Sequence, residues 1–196
     1  MTFAISGVFA VSSSRLDWLG AVVIGVVTAL GGRTIRDLLL GDAPVFWLDD
    51  LTVLFAATMG AIVAIPLAHK MARGPARRFD EALQLADAAG LALFVVLGAE
   101  VALDLGFEPA AAVVSGVISG VGGGVIRDLL ADRTPLILSG EIYATAAIGG
   151  ALIFVALGEL AINEPLPALA GALAVFGLRV LGIRRQWSLP RLRAES

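Results

Sequence analysis

Residues Gly31-Gly32-Arg33-Thr34-Ile35-Arg36-Asp37-Leu38-Leu39 return as Gly122-Gly123-Gly124-Val125-Ile126-Arg127-Asp128-Leu129-Leu130, so Gly31 answers to Gly122 at an offset of 91. Held without a gap, the offset also pairs Phe3 with Phe94, Gly7 with Gly98, Asp17 with Glu108, Gly25 with Gly116, Thr28 with Ser119 and Pro44 with Pro135. The repeat is a whole unit. It confines the fold to two copies of one building block.

Each copy of the motif lies in an apolar run. With 58% hydrophobic and 16% charged residues and a mean hydropathy of +0.91, the chain is far from soluble averages and reads as an all-α integral membrane protein. The runs are too long, and lack the period-2 alternation, for a membrane barrel. Apolar runs recur along the whole length and Arg15 follows the first, so a cleaved signal peptide explains little of the pattern.

Seven spanning segments are expected against the ~20 residues such a helix needs, at about 2–13, 19–40, 51–68, 82–103, 109–131, 141–158 and 165–183. Pro109 and Pro165 open the fifth and seventh, where proline removes no helical hydrogen bond, and Pro66 sits near the end of the third. The expected domain plan is a single transmembrane domain over 1–183: repeat 1 at 2–68, repeat 2 at 82–158, a seventh helix at 165–183, then a basic tail at 184–196.

Cationic residues set the orientation, because cytoplasmic loops retain Lys and Arg. Lys70, Arg73, Arg77 and Arg78 fall in one loop, and Arg184, Arg185, Arg191 and Arg193 in the tail. Asp42, Asp49, Asp50, Asp104, Glu108, Glu159 and Glu164 fall in the alternate loops. The pattern predicts a multi-pass membrane protein with an external N-terminus and a cytoplasmic C-terminus. The two basic segments read as topology determinants rather than nucleic-acid patches, with contact to anionic lipid open to both. Three spans per repeat make the second copy enter from the opposite side, which relates the halves by a two-fold axis in the membrane plane.

Glycines in a helix interior cost about 1 kcal/mol each relative to alanine, so Gly31, Gly32, Gly122, Gly123 and Gly124 need a reason. Close helix packing is one. A kink that frees carbonyls to line a polar path is the other, and symmetric breaks in inverted halves are the mark of a midplane site. Arg33 stands where the second copy has Gly124, so the two places are not equivalent. Arg36-Asp37 and Arg127-Asp128 lie about one turn beyond the glycines, toward opposite faces. Each is either a neutralised interfacial pair with a snorkelling arginine or a charged collar at a pore mouth. Asp87 and Glu100 are the other acids within a span, near opposite ends of the fourth segment; Thr28, Ser115 and Ser119 are candidate wall hydroxyls.

With no cysteine, thiolate sites and disulfides are excluded, and the single histidine, His69, reads as an interfacial loop residue without metal partners. No nucleophile elbow, phosphate loop or zinc spacing is present, so the chain is not read as an enzyme and no cofactor is expected.

The doubled motif, with Pro44-Val45-Phe46-Trp47 and Glu141-Ile142-Tyr143-Ala144-Thr145, resembles the prokaryotic branch of the trimeric intracellular cation channel family, whose bacterial domain has also been labelled a glycine transporter. The resemblance runs from residue 3 to about 183. It implies seven helices in inverted repeats, a homotrimer in membrane lipid, and one water-filled pore per subunit beside second and fifth helices kinked at the glycines. It also implies voltage-gated conduction of monovalent cations, K+ or Na+. Carried over by position, the five glycines are hinges and Arg36, Asp37, Arg127 and Asp128 the charged elements beyond them. Arg33 departs from the family's usual glycine. A carrier of a small solute such as glycine stays open as the alternative.

Overall fold

The structure, a computed structural model, describes residues 2–11, 17–72, 75–139, 142–163 and 165–187. Arg15, Arg73, Glu141, Glu164, Arg191 and Arg193 lie outside the described residues. Among the described residues the secondary structure is all helical: α1 Thr2–Val11, α2 Trp18–Leu40, α3 Phe46–Asp49, α4 Leu51–Ala72, α5 Ala76–Asp104, α6 Pro109–Leu130, α7 Ala144–Glu159 and α8 Leu166–Arg185, with a 3₁₀ turn at Leu136–Leu138.

The seven expected segments coincide with α1, α2 and α4 to α8, the second and fifth being α2 and α6. Five helices, α2, α4, α5, α6 and α8, are long and apolar enough to cross a membrane. Thr2–Val11 and Ala144–Glu159 are shorter apolar helices. Three expectations need correction. The fourth segment does not begin at 82: α5 starts at Ala76, so Arg78, Asp80 and Glu81 are helical rather than in a loop. His69 is not a loop residue; α4 continues past Pro66 to Ala72, and His69 Nδ1 lies 3.1 Å from the Ile65 carbonyl one turn back. Both helices that carry the glycine motif run unbroken through it.

Helix ends follow the local chemistry. Asp17 caps α2 by accepting from the Gly20 amide at 2.7 Å. Asp50 accepts from the Thr52 amide at 2.9 Å just before α4; the Thr52 hydroxyl and amide together hold its carboxylate below the usual range. At the far end of α2 the chain turns through Gly41 at φ 70°, and Asp42 N reaches back to the Asp37 carbonyl at 2.9 Å. After α6 the corresponding residue, Asp132, is left-handed at φ 53°, and Arg133 N reaches the Asp128 carbonyl at 2.8 Å. Both copies thus close with the same turn, one with glycine and one with an aspartate, a residue that tolerates that backbone.

Packing repeats in the same register. A Cβ built on Gly7 of α1 would meet Gly25 Cα and Thr28 Oγ1 of α2, both at 2.8 Å. One built on Gly98 of α5 would meet Ser119 Cβ at 2.5 Å and Gly116 Cα at 3.1 Å, the residues paired with Thr28 and Gly25 by the 91-residue offset. Small side chains let these backbones approach, which holds helices together where lipid removes the hydrophobic driving force. Helix α1 is buried on nearly every side, from Phe3 to Val11 with Ile5 half-buried, and is packed by α2, α4 and α5. A second core joins Leu91 and Val95 of α5 to Val121, Ala147, Ala151 and Val175.

Gly7→Ala and Gly98→Ala should each destabilise the fold by about 1–3 kcal/mol through overpacking, and by similar amounts because the two contact sets correspond. Thermal unfolding of each variant in detergent measures this; a neutral effect at one site alone would show that the two copies are not packed alike.

Candidate functional site

The two glycine motifs meet each other. A Cβ on Gly32 would collide with the Ser119 carbonyl and lie 2.8 Å from Gly123 N, while one on Gly123 would collide with the Thr28 carbonyl. A Cβ on Gly31 would collide with Ile126 Cδ1, and one on Gly122 would meet Gly32 Cα at 3.0 Å and Ile35 Cδ1 at 3.7 Å. The contacts are reciprocal, since Gly32 and Gly123, Thr28 and Ser119, and Ile35 and Ile126 are partners at the 91-residue offset. Phe3 and Phe94, a further such pair, meet with their rings tilted by 50° and centroids 5.0 Å apart. In this structure the glycines serve backbone contact between α2 and α6.

Gly124 is different. The space its side chain would fill is bounded by Tyr143 Oη at 2.6 Å and Asp87 Oδ1 at 3.4 Å. Its counterpart Arg33 is half-buried, with its guanidinium carbon 3.8 Å from the Phe46 ring centroid and 4.6 Å from that of Phe94. An arginine between two aromatic faces is held by cation–π attraction as well as contact area. Neighbouring bonds pin α3 to α2 at the same place: Trp47 Nε1 donates to Thr34 Oγ1 at 3.1 Å and Phe46 N to Asp37 Oδ2 at 3.0 Å.

The two Arg-Asp pairs fold alike locally. Arg36 Nε donates to Asp37 Oδ1 at 2.8 Å and Arg127 Nε to Asp128 Oδ1 at 2.8 Å. Each aspartate spends its other oxygen on an amide after its helix, Asp37 on Phe46 and Asp128 on Leu136, both at 3.0 Å. Neither arginine snorkels: Arg36 is 3% exposed and Arg127 0%. The adjacent acid neutralises each arginine, and the amide of the segment after the helix takes that acid's second oxygen.

Beyond this common part the halves diverge. Arg127 Nη1 also ion-pairs with Asp87 of α5 and donates to Ser6 Oγ of α1 at 3.1 Å. Asp87, which reads as a separate intramembrane acid from sequence, therefore shares a site with Arg127 and Asp128, while Glu100 lies half-buried near the other end of α5. Asp87 Oδ2, Arg127 Nη2, Tyr143 Oη and Ser119 Oγ are all buried and meet no hydrogen-bond partner among the described residues. Thr28 Oγ1 bonds to its own turn at Ile24 O, 2.6 Å away, and Ser115 Oγ crosses to Gly98 O of α5 at 2.7 Å.

Tyr143, Arg179 and Ser6 escape a sequence reading of the site. Arg179 is fully buried, donates to Ile142 O at 3.0 Å and has its guanidinium 4.8 Å from the Tyr143 ring. It sits inside an apolar helix, the signal that singled out Asp87. Tyr143 is the chain's one tyrosine, and no periodicity distinguishes it. Among the described residues no group of three or more His, Asp or Glu could hold a metal ion.

A sequence-family model described as glycine transporter matches residues 1–69 and 84–159. The UPF0126 inner membrane protein YadS of Escherichia coli K12 is 43% identical over 190 residues, covering 96% of this chain and 89% of that protein. A trimeric intracellular cation channel orthologue from Rhodobacter sphaeroides superposes with a TM-score of 0.88 at 40% identity, covering 95% of this chain and 93% of that one. A prokaryotic channel of the same kind, solved in 0.5 M KCl, superposes at 0.86 with 32% identity over 96% and 93%.

Asp87→Asn should destabilise the protein by about 3–5 kcal/mol, because it removes one partner of a buried ion pair. Asp104→Asn, exposed at the far end of α5, should be close to neutral on melting in detergent. Equal losses would mean that Asp87 contributes nothing specific to Arg127.

Proposed function

Because the chain belongs to the trimeric intracellular cation channel family, whose sequence model is described as glycine transporter, we propose that it conducts monovalent cations, potassium among them, through a path inside each subunit. The path follows α2 and α6 past their glycine crossing. It runs from Arg36 and Asp37 at the outer side to Arg127 and Asp128 at the inner side, with Thr28, Ser115 and Ser119 along it. The assembly is a homotrimer in the bacterial inner membrane, a multi-pass protein with its N-terminus outside and its basic tail in the cytoplasm. Its seven crossing segments form two inverted halves over 2–68 and 82–158, with a seventh helix at 165–183.

One observation carries this reading. Asp87 Oδ2, Arg127 Nη2, Tyr143 Oη and Ser119 Oγ are buried polar atoms without a protein partner among the described residues. Each costs about 1–3 kcal/mol in a dry interior, and water or a hydrated cation in a file beside them removes that cost. The reciprocal contacts of Gly32 with Gly123 and of Phe3 with Phe94 support inversion, since equivalent residues touch each other only about a two-fold axis. Lys70, Arg78, Arg184 and Arg185 at one end of α4, α5 and α8 support the orientation. Glycine flux is the second reading, and it rests on the name of the family model alone.

Planar-bilayer recording in asymmetric KCl should give discrete steps that reverse near the potassium potential. Silence together with saturable glycine uptake into proteoliposomes would replace the channel by a carrier. Arg33→Gly should raise the unit conductance by removing a cation beside the path. Gly124→Ala, which crowds Tyr143 Oη, should lower conductance while leaving the yield of assembled protein unchanged. If yield falls first, Gly124 is there for packing.

A further inference from the structure

Arg33 lies within α2, a helix long and apolar enough to cross a membrane, and no acid forms an ion pair with it among the described residues. Arg36 and Arg127 each have the aspartate that follows them. Arg33 has two rings instead, with the centroids of Phe46 and Phe94 at 3.8 Å and 4.6 Å from its guanidinium carbon. Its Nε is buried and meets no hydrogen-bond partner among the described residues. A charge in such a segment has to face protein or water, and here the protein side is aromatic.

The rings are held by contacts of their own. Phe94 is buried in α5 against Phe3. Phe46 belongs to α3, which is tied to α2 just beyond Arg33: Trp47 Nε1 donates to Thr34 Oγ1 at 3.1 Å and Phe46 N to Asp37 Oδ2 at 3.0 Å. Neither bond uses the arginine, so the aromatic pair is set in place without it. Position 33 also answers to Gly124 at the 91-residue offset. Beside Gly124 the space bounded by Tyr143 Oη and Asp87 Oδ1 receives no side chain; the first copy sends a guanidinium from the matching position.

We propose that Phe46 and Phe94 form a cation site that the chain fills with its own Arg33, a tethered blocker of the half of the path that ends at Arg36 and Asp37. The blocking role rests on the reading of a conducting path past the glycine crossing; the site itself does not. Its ligand class is a planar organic cation of the guanidinium type. Such a cation is weakly hydrated and lies flat on aromatic faces, whereas a compact ammonium keeps its water. With Arg33 in place the site is taken. Without it, the same two rings are open to a soluble cation.

The test vacates the site with Arg33→Gly and offers guanidinium chloride well below denaturing concentrations. In detergent, guanidinium should raise the melting temperature of Arg33→Gly, equal ammonium chloride should not, and the unaltered protein should respond to neither. In planar bilayers guanidinium should return the raised conductance of Arg33→Gly toward that of the unaltered protein. Adding Phe46→Leu should raise the guanidinium concentration needed about tenfold, the scale of one desolvated cation–π contact. Phe46→Tyr, which keeps a ring, should leave it unchanged. If Arg33→Gly is recovered poorly, Arg33→Ala vacates the same site in a better helix former and takes both measurements. Guanidinium effects indifferent to Phe46→Leu, an equal response to ammonium, or a conductance unmoved by Arg33→Gly would overturn the assignment. Melting is read without any flux. Silence of every variant in the bilayer would therefore remove the blocking role together with the path, while a guanidinium shift that depends on Phe46 would uphold the site.

Discussion

Everything in this molecule is built around the contact of α2 with α6 at Gly32 and Gly123. Each glycine faces the carbonyl of the other helix, at Ser119 and Thr28 respectively, and a single methyl on either would strike main chain. Main chain cannot swing aside as a side chain can, so the crossing tolerates no other residue at those two positions. The partners of this contact are the partners of the repeat. One self-complementary surface, used twice, joins the two copies.

From that crossing the rest follows in order. Phe3 and Phe94 meet beside it, ring against tilted ring, which brings α1 of the first copy against α5 of the second. The Arg-Asp pairs sit one turn beyond the glycines, and each aspartate turns its second oxygen to the amide of the segment after its helix. The motif thus carries its own stop: arginine neutralised by the next residue, and the following chain folded back onto the aspartate. Burying an unpaired charge would cost on the order of 3 kcal/mol or more in a membrane. The pairing is what makes two internal arginines tolerable.

The copies then part ways. The second has Asp87, Ser6 and Tyr143 around Arg127 and an empty side chain at Gly124; the first has Arg33 between Phe46 and Phe94. The second half holds a buried polar cluster at this level, whereas the first holds a cation on aromatic faces. A conducting path through such a molecule would be asymmetric in chemistry though built on a symmetric frame.

Much of this was legible in the chain itself. The repeat and its register, the all-helical membrane class and the positions of seven apolar segments follow from spacing and hydropathy, because both are properties of residues along one line. The glycine pairs also declared that two backbones or a bend must be accommodated, without saying which. Only the tertiary structure decided that they meet each other, that Arg127 reaches Asp87 forty residues earlier, and that Arg33 rests on Phe46 and Phe94. Those facts depend on which faces of different helices are turned together. Local periodicity reports that a face is apolar but not which helix it meets. Nor could spacing reveal the orphaned Asp87 and Tyr143 oxygens, since whether a buried polar atom is satisfied is a property of the assembled interior and not of any one residue.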